Sequence, residues 1–198
     1  MVTKQKTDDI QEFNRRSQTY ETSLEQWFFF DRVHKAVLNM VDSGANPESI
    51  LDVGCGTGRL LRKVRERWHM ARLMGVDPAE GMVEKARQLM PYATFYISMA
   101  ESLPLPDASV DLIFSTLSFH HWLDQEQGIH EIVRVLRPGG YFFLADISMP
   151  FGLSKIVHHF RTNDPAIIRE IFARAGLDVQ AQRRRMSGFL LVTIGRRR

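Results

Sequence analysis

Cysteine is almost missing from this chain: one residue, Cys55, in 198. That excludes an internal disulfide framework and a thiolate zinc cluster. No run approaches the ~20 apolar residues of a membrane-spanning helix. The segment from Met1 to Asp9 also lacks the apolar centre of a secretion signal. A cytoplasmic setting with no membrane span is therefore expected. Internal repeats and low-complexity linkers are absent, and the length suits one domain, residues 1–198. Two glycine-loop signatures are incomplete in informative ways. The triphosphate loop requires Gly-Lys-Ser/Thr, where the chain has Gly58-Arg59-Leu60. The dinucleotide fingerprint requires a third small residue at its sixth position, which is Arg59, and this argues against a nicotinamide or flavin.

What the chain does have is the stretch Ile50-Leu51-Asp52-Val53-Gly54-Cys55-Gly56-Thr57-Gly58, a short apolar run that ends in an acid and opens into three alternating glycines. Gly54, Gly56 and Gly58 let the backbone leave a strand tightly and lie against a ligand. A helix is predicted from Arg59 to Trp68, with Leu60, Leu61, Val64 and Trp68 on one face. About 20 residues after the loop, Arg72 to Asp77 supplies a second strand ending in an acid, whose carboxylate can accept both hydroxyls of a ribose. Loop and acid together point to a ribonucleoside site.

Further strands are predicted near Thr94–Ile97, Val110–Ser115 and Gly140–Ile147, alternating with helical patterns as in a parallel α/β sheet. Asp124 is a helix cap with Gln127 three residues on, and the predicted inward face is Ile129, Ile132, Val133 and Leu136, ended by Arg137-Pro138-Gly139-Gly140. Asn163-Asp164-Pro165 starts another helix, with Ile167, Ile168, Ile171, Phe172 and Ala175 inward and Gly176 closing it. Leu177–Arg185 and Phe189–Ile194 read as two strands about a turn at Ser187-Gly188. The first ~45 residues stand outside this core, with one or two helices over Gln11–Met40.

In this order the landmarks resemble the class I S-adenosylmethionine-dependent methyltransferases, in particular the small-molecule group of the ubiquinone and menaquinone biosynthesis enzymes. The landmarks are Leu51 to Gly58; Gly75-Val76-Asp77-Pro78 with Met82; Ala100-Glu101-Ser102-Leu103-Pro104; Phe119-His120-His121; and Val135 to Gly140. The resemblance implies a Rossmann-like, doubly wound seven-stranded sheet, mostly parallel, with an antiparallel last strand between the fifth and sixth. It divides the domain into a helical N-terminal cap (1–45), a cofactor core (46–147), a short lid (148–163) and a C-terminal helix and hairpin (164–198). It also implies S-adenosyl-L-methionine as cofactor and S-adenosyl-L-homocysteine as product. By the same resemblance Gly54, Cys55, Gly56 and Gly58 lie against the methionine part, Asp52 faces its ammonium, and Asp77 with Pro78 holds the ribose. Met82 covers the adenine. Relatives often carry an acid before the Ala-Glu pair; here it is Met99, which leaves the adenine amine to Ser98, Glu101 or water while the Ala100 backbone meets the ring. Tyr20 matches a residue that relatives place over the cofactor's carboxylate or methyl group.

Methyl transfer is an in-line displacement, so the protein mainly aligns the reactants and excludes water. The carbonyl of Ser115, at the end of the fourth strand, is a candidate partner for the ammonium. His120 and His121 fall where cofactor and acceptor should meet, and a neutral imidazole there can take a proton from the acceptor. Trp27 and Phe28, with Phe29, are candidate walls of an apolar acceptor pocket. His158, within Phe151–Phe160, is a candidate on the opposite lid. No metal is indicated. The expected partner is a small acceptor, aromatic or otherwise apolar, bound by a monomer or homodimer.

Two alternatives stand beside this reading. From Phe151 onward ten Lys and Arg face three acids, which allows an RNA or protein methyltransferase. Nucleic acid is nevertheless disfavoured, because the Asn/Asp-Pro-Pro-Tyr/Phe segment of amino methyltransferases is missing and the arginine clusters are not interleaved with aromatics. The other alternative is a non-catalytic cofactor-binding scaffold.

Overall fold

A computed structural model describes residues 4–17, 20, 24–148 and 164–198. The predicted lid beyond Ser148, with His158, lies outside the described residues, as does the side chain of Trp27. Two N-terminal helices, α1 (Lys4–Arg16) and α2 (Leu24–Leu38), precede β1 (Ser49–Val53), α3 (Arg59–Arg67), β2 (Arg72–Asp77), α4 (Glu80–Leu89) and β3 (Thr94–Ile97). Then come β4 (Val110–Thr116), α5 (Gln125–Val135), β5 (Leu136–Ile147), α6 (Pro165–Ala175), β6 (Leu177–Arg185) and β7 (Leu190–Arg197). The sheet order is β3-β2-β1-β4-β5-β7-β6. The first five strands are parallel, and β7 runs antiparallel between β5 and β6.

The two-residue period of the strands divides the core between two faces. Ile50, Leu73, Leu112 and Phe143 point to the side covered by α2, α3 and α4. Leu51, Met74, Ile113 and Phe142 point to the side covered by α5 and α6. Both sides are dry, which is why these strands read as unbroken apolar runs. The predicted caps form: Asp124 accepts from the Gln127 N–H at 3.0 Å and Asp164 from the Ala166 N–H at 2.7 Å.

Three expectations are corrected. Val33 and Val37 of α2 are fully buried in the same cluster as Ile50 and Leu60, so the helix is part of the core rather than outside it. Leu136 is not on the face of α5; it pairs with Val110 and opens β5, which starts four residues before Gly140 and is irregular there. Ile167 is 55% exposed, one position off the buried stripe of Ile168, Ile171 and Phe172.

The basic C-terminal end serves the sheet. Arg197 donates to the carbonyls of Arg134 and Leu136, Arg196 to that of Gly139, and Arg184 to those of Ser148 and Gly188. These bonds tie β6 and β7 to the junction of α5 and β5 and to the end of β5. Arg197→Ala is expected to cost about 1–3 kcal/mol by stripping two carbonyls of a charged donor, read as a lower midpoint in urea.

Candidate active site

Strand order reverses between β1 and β4, and in such sheets the crevice outside the carboxyl ends of the strands is where ligands bind. A pocket of about 1070 Å³, part of it open to solvent, lies at this place. Its floor is Asp52 to Thr57; Val76 to Pro78 with Met82 and Ser98 to Glu101 form one wall, and Thr116 to Ser118 with His121 to Leu123 another. Asp9, Ile10 and Phe13 of α1 and Phe30 and His34 of α2 also line it, together with Tyr20.

The glycine loop works for two different reasons. At Gly54, φ is 78° and a Cβ would fall on the Ser118 hydroxyl, so this glycine lets the loop meet the segment that follows β4. Ser118 is itself held by the Trp122 indole at 3.1 Å. At Gly56, φ is 52° and nothing lies within 4 Å of a Cβ position. That open space faces the pocket. Gly58 does not line the pocket, and its Cα side faces Met90 and Phe95.

Two buried carboxyls flank the loop. Asp77 accepts from the Gly56 N–H through one oxygen and from the Ala79 N–H through the other, both at 2.9 Å. Burial outweighs those two bonds and lifts its pKa to about 6. Asp52 is 1% exposed, and its Oδ1 has no hydrogen-bond partner. Burial, aided by the charge of Asp77, pushes its pKa to about 8. An orphaned buried carboxyl oxygen costs roughly 1–3 kcal/mol; a cationic group placed there would recover it. Burial and the same two acids also push the Cys55 thiol up, so it is no nucleophile.

Tyr20, Asp52, Gly54, Cys55, Gly56, Asp77, Pro78, Met82, Met99, Ala100, Glu101 and His121 are all brought to the pocket. Glu101 is also tied to the Asp124 N–H at 3.0 Å, and Ser98 donates to the Ser102 carbonyl at 2.6 Å. Besides Gly58, three candidates are placed elsewhere. Ser115 is fully buried inside β4, which runs one residue further than expected, so Thr116 to Ser118 stand at the mouth instead. His120 is off the lining: its backbone N–H and Nδ1 are bound to Asp146 at 2.9 and 2.7 Å. Phe28 is 61% exposed and off the lining too; two positions on, helical rotation makes Phe30 the wall.

Several lining residues carry weak sequence signals. Asp9, Ile10 and Phe13 form one face of α1, a spacing visible in the sequence but not attributable to any partner. Their position is set by Gly81, whose N–H donates to Asn14 Oδ1 at 2.9 Å. A Cβ on Gly81 would stand 2.7 Å from Ser17 Oγ and 3.2 Å from the Asn14 carbonyl. Gly81→Ala is expected to unseat α1, weakening ligand binding about tenfold, the worth of about 1.4 kcal/mol. Faster hydrogen exchange confined to residues 8–17 checks it. Arg59, only 8% exposed, donates to the Tyr20 carbonyl at 2.7 Å.

Residues 51–144 match the methyltransferase domain family. Over 101 residues the chain is 38% identical to malonyl-acyl-carrier-protein O-methyltransferase of Serratia marcescens, covering 51% of this chain and 39% of that one. Over 162 residues it is 31% identical to a probable S-adenosylmethionine-dependent methyltransferase of Mycolicibacterium smegmatis, covering 78% and 60%. The chain thus spans less than two thirds of either curated relative. In fold it is similar to the crystal structure of an S-adenosylmethionine-dependent methyltransferase from Mesorhizobium loti, with a TM-score of 0.70 and 19% identity over 82% of this chain and 96% of that one.

Proposed function

Since the chain carries a methyltransferase domain of the class I S-adenosylmethionine-dependent family, we propose that it transfers a methyl group from S-adenosyl-L-methionine to a small organic acceptor with an aromatic or apolar body. The observation that carries this reading is the pair of buried acids about an open glycine loop. Asp52 offers an unmatched oxygen suited to an ammonium, and Asp77 is fixed by two backbone N–H groups with lone pairs left for a ribose. Met82 and Met99 with Ala100 supply an apolar slot for a purine. The cofactor, when bound, supplies an electrophilic methyl group on a sulfonium.

The chain's own part is alignment, exclusion of water and one proton. Phe13, Phe30, Trp122 and Leu123 line the pocket as apolar surface against which an apolar acceptor can pack. His121 presents an imidazole to the pocket with Nδ1 3.4 Å from Asp9 Oδ2. Its Nε2 is the atom suited to take the proton from an acceptor hydroxyl, amine or thiol. The His120 ring lies against it, tilted by 42° with ring centres 4.0 Å apart, and is itself oriented by Asp146. It is thus a positioning residue rather than the base.

Titration calorimetry with S-adenosylmethionine and S-adenosylhomocysteine tests the cofactor half; micromolar binding of both is expected, and absence of heat from either overturns it. Methyl transfer across a panel of aromatic hydroxyls, amines, thiols and carboxylates tests the acceptor half. A malonyl-acyl-carrier-protein, the acceptor named for the Serratia relative, is the second reading. Turnover of it and of no small aromatic would replace the first.

A further inference from the structure

The apolar purine slot has one polar end. Its wall from Ser98 to Glu101 continues β3, which lies beside β2 with Ile97 level with Asp77. The Ser98 N–H donates to the Asp77 carbonyl at 3.2 Å, so Ser98 stands next to the acid assigned to the ribose. The chain then turns, with the Ser102 N–H donating to the Met99 carbonyl at 3.2 Å. From this turn Glu101 reaches the segment after β4, where its Oε1 accepts from the Asp124 N–H at 3.0 Å, next to Leu123 of the other wall. Its Oε2 has no hydrogen-bond partner among the described residues, and neither has the N–H of Ala100.

An adenine in this slot carries its exocyclic amine at the end of the base away from the ribose. Burying that donor unpaired costs roughly 1–3 kcal/mol, so the wall has to supply an acceptor. Met99 offers a thioether, which accepts weakly. The Ser98 hydroxyl gives its proton to the Ser102 carbonyl at 2.6 Å and stands at the ribose end. Glu101 lies further along the wall from Asp77 and offers a charged oxygen, whose bonds are about twice as strong as neutral ones. Resting on the cofactor reading above, we propose that Glu101 accepts a hydrogen bond from the adenine amine through Oε2, and that it sets a preference for adenine over a base with a carbonyl at that position. The Ala100 N–H and the Glu101 carboxylate then offer a donor followed by an acceptor, the complement of the adenine edge. Hypoxanthine, whose ring nitrogen donates and whose carbonyl accepts, meets both the wrong way round.

S-adenosylhomocysteine and its deaminated analogue, S-inosylhomocysteine, are titrated into wild type, Glu101→Gln and Ser98→Ala. Wild type is expected to prefer the adenosyl ligand about ten- to a hundredfold, the range for a hydrogen bond to a charged group. In Glu101→Gln the amide carbonyl still serves the Asp124 N–H, while the amide N–H faces the base as a donor. The adenosyl ligand then binds about tenfold more weakly or worse, and the inosyl ligand binds at least as well as to wild type. The preference vanishes or reverses, and the retained inosyl affinity shows that the variant is folded. Ser98→Ala keeps the wild-type preference. If Glu101 only holds the cap of α5, its variant weakens both ligands alike and leaves their ratio unchanged. That result overturns the proposal, as does loss of the preference in Ser98→Ala, or a wild type that does not distinguish the two ligands. Should Glu101→Gln not fold, Glu101→Asp takes its place, with a carboxyl too short to span the Asp124 N–H and the base together and a smaller loss of preference expected. Failure of wild type to bind S-adenosylhomocysteine at all is a failure of the cofactor reading and is visible as such in the first titration.

Discussion

Asp77→Ala is expected to lower affinity for S-adenosylhomocysteine by at least about a hundredfold. The carboxylate does two things at once. It holds the Gly56 and Ala79 N–H groups, which fixes the glycine loop against the start of α4, and it keeps lone pairs for two hydroxyl donors. Charge-assisted bonds of this kind are each worth roughly 1.5–3 kcal/mol, so losing the ligand's share alone reaches ~3 kcal/mol, and the loosened loop adds to it. Asp77→Asn keeps one carbonyl acceptor but puts an amide where an acceptor is needed, and is expected to fall between. Calorimetry on the three proteins decides; a loss under about fivefold in the alanine variant, judged against this bond range, would sink the assignment of Asp77 to a ribose.

The second large effect is on pH. With Asp52 lifted to about 8 and Asp77 to about 6, the unliganded protein holds a proton on Asp52 at neutral pH. An ammonium beside Asp52 favours the charged carboxylate, so binding releases that proton and affinity rises with pH between about 6 and 8, by up to about tenfold per unit. Asp52→Asn has nothing to release and should bind with a flat profile. Titration in buffers of different ionisation enthalpy reads the proton directly, and a wild-type profile as flat as the variant's would refute it. The sign for stability follows from the same raised values. Both acids bind protons more tightly folded than unfolded, so the unliganded fold loses stability as pH climbs from about 4, where an unfolded carboxyl titrates, through 6 towards 8. Ligand should therefore raise the melting temperature more at pH 8 than at pH 6.

Both effects fall on residues that sequence finds easily, and the reason is local. Asp52 and Asp77 stand at or next to strand ends, three glycines follow Asp52 within six positions, and β1, the loop, α3 and β2 succeed one another directly along the chain. What escaped was non-local. That Gly54 makes room for Ser118 depends on a residue beyond β4, and that α1 closes the pocket depends on Gly81 in α4. His34 and Arg59 sit on helices whose patterns show which face is buried but not that the upper turns face a cavity. The aromatic run misled for the same cause. Its composition pointed to an apolar wall, and only the rotation of α2 decides that Phe30, not Phe28, supplies it.

The place of β7 matters during synthesis. Residues 141–147 of β5 pair with residues 190–196, a stretch more than forty residues later. Until that stretch leaves the ribosome, β5 carries an open row of backbone donors and acceptors beside Phe142, Phe143 and Leu144, side chains that are buried in the finished sheet. An exposed apolar strand edge is a template for pairing with another chain. A nascent chain stalled before Leu190 should therefore be the species most prone to aggregate and the one most in need of a chaperone's hold.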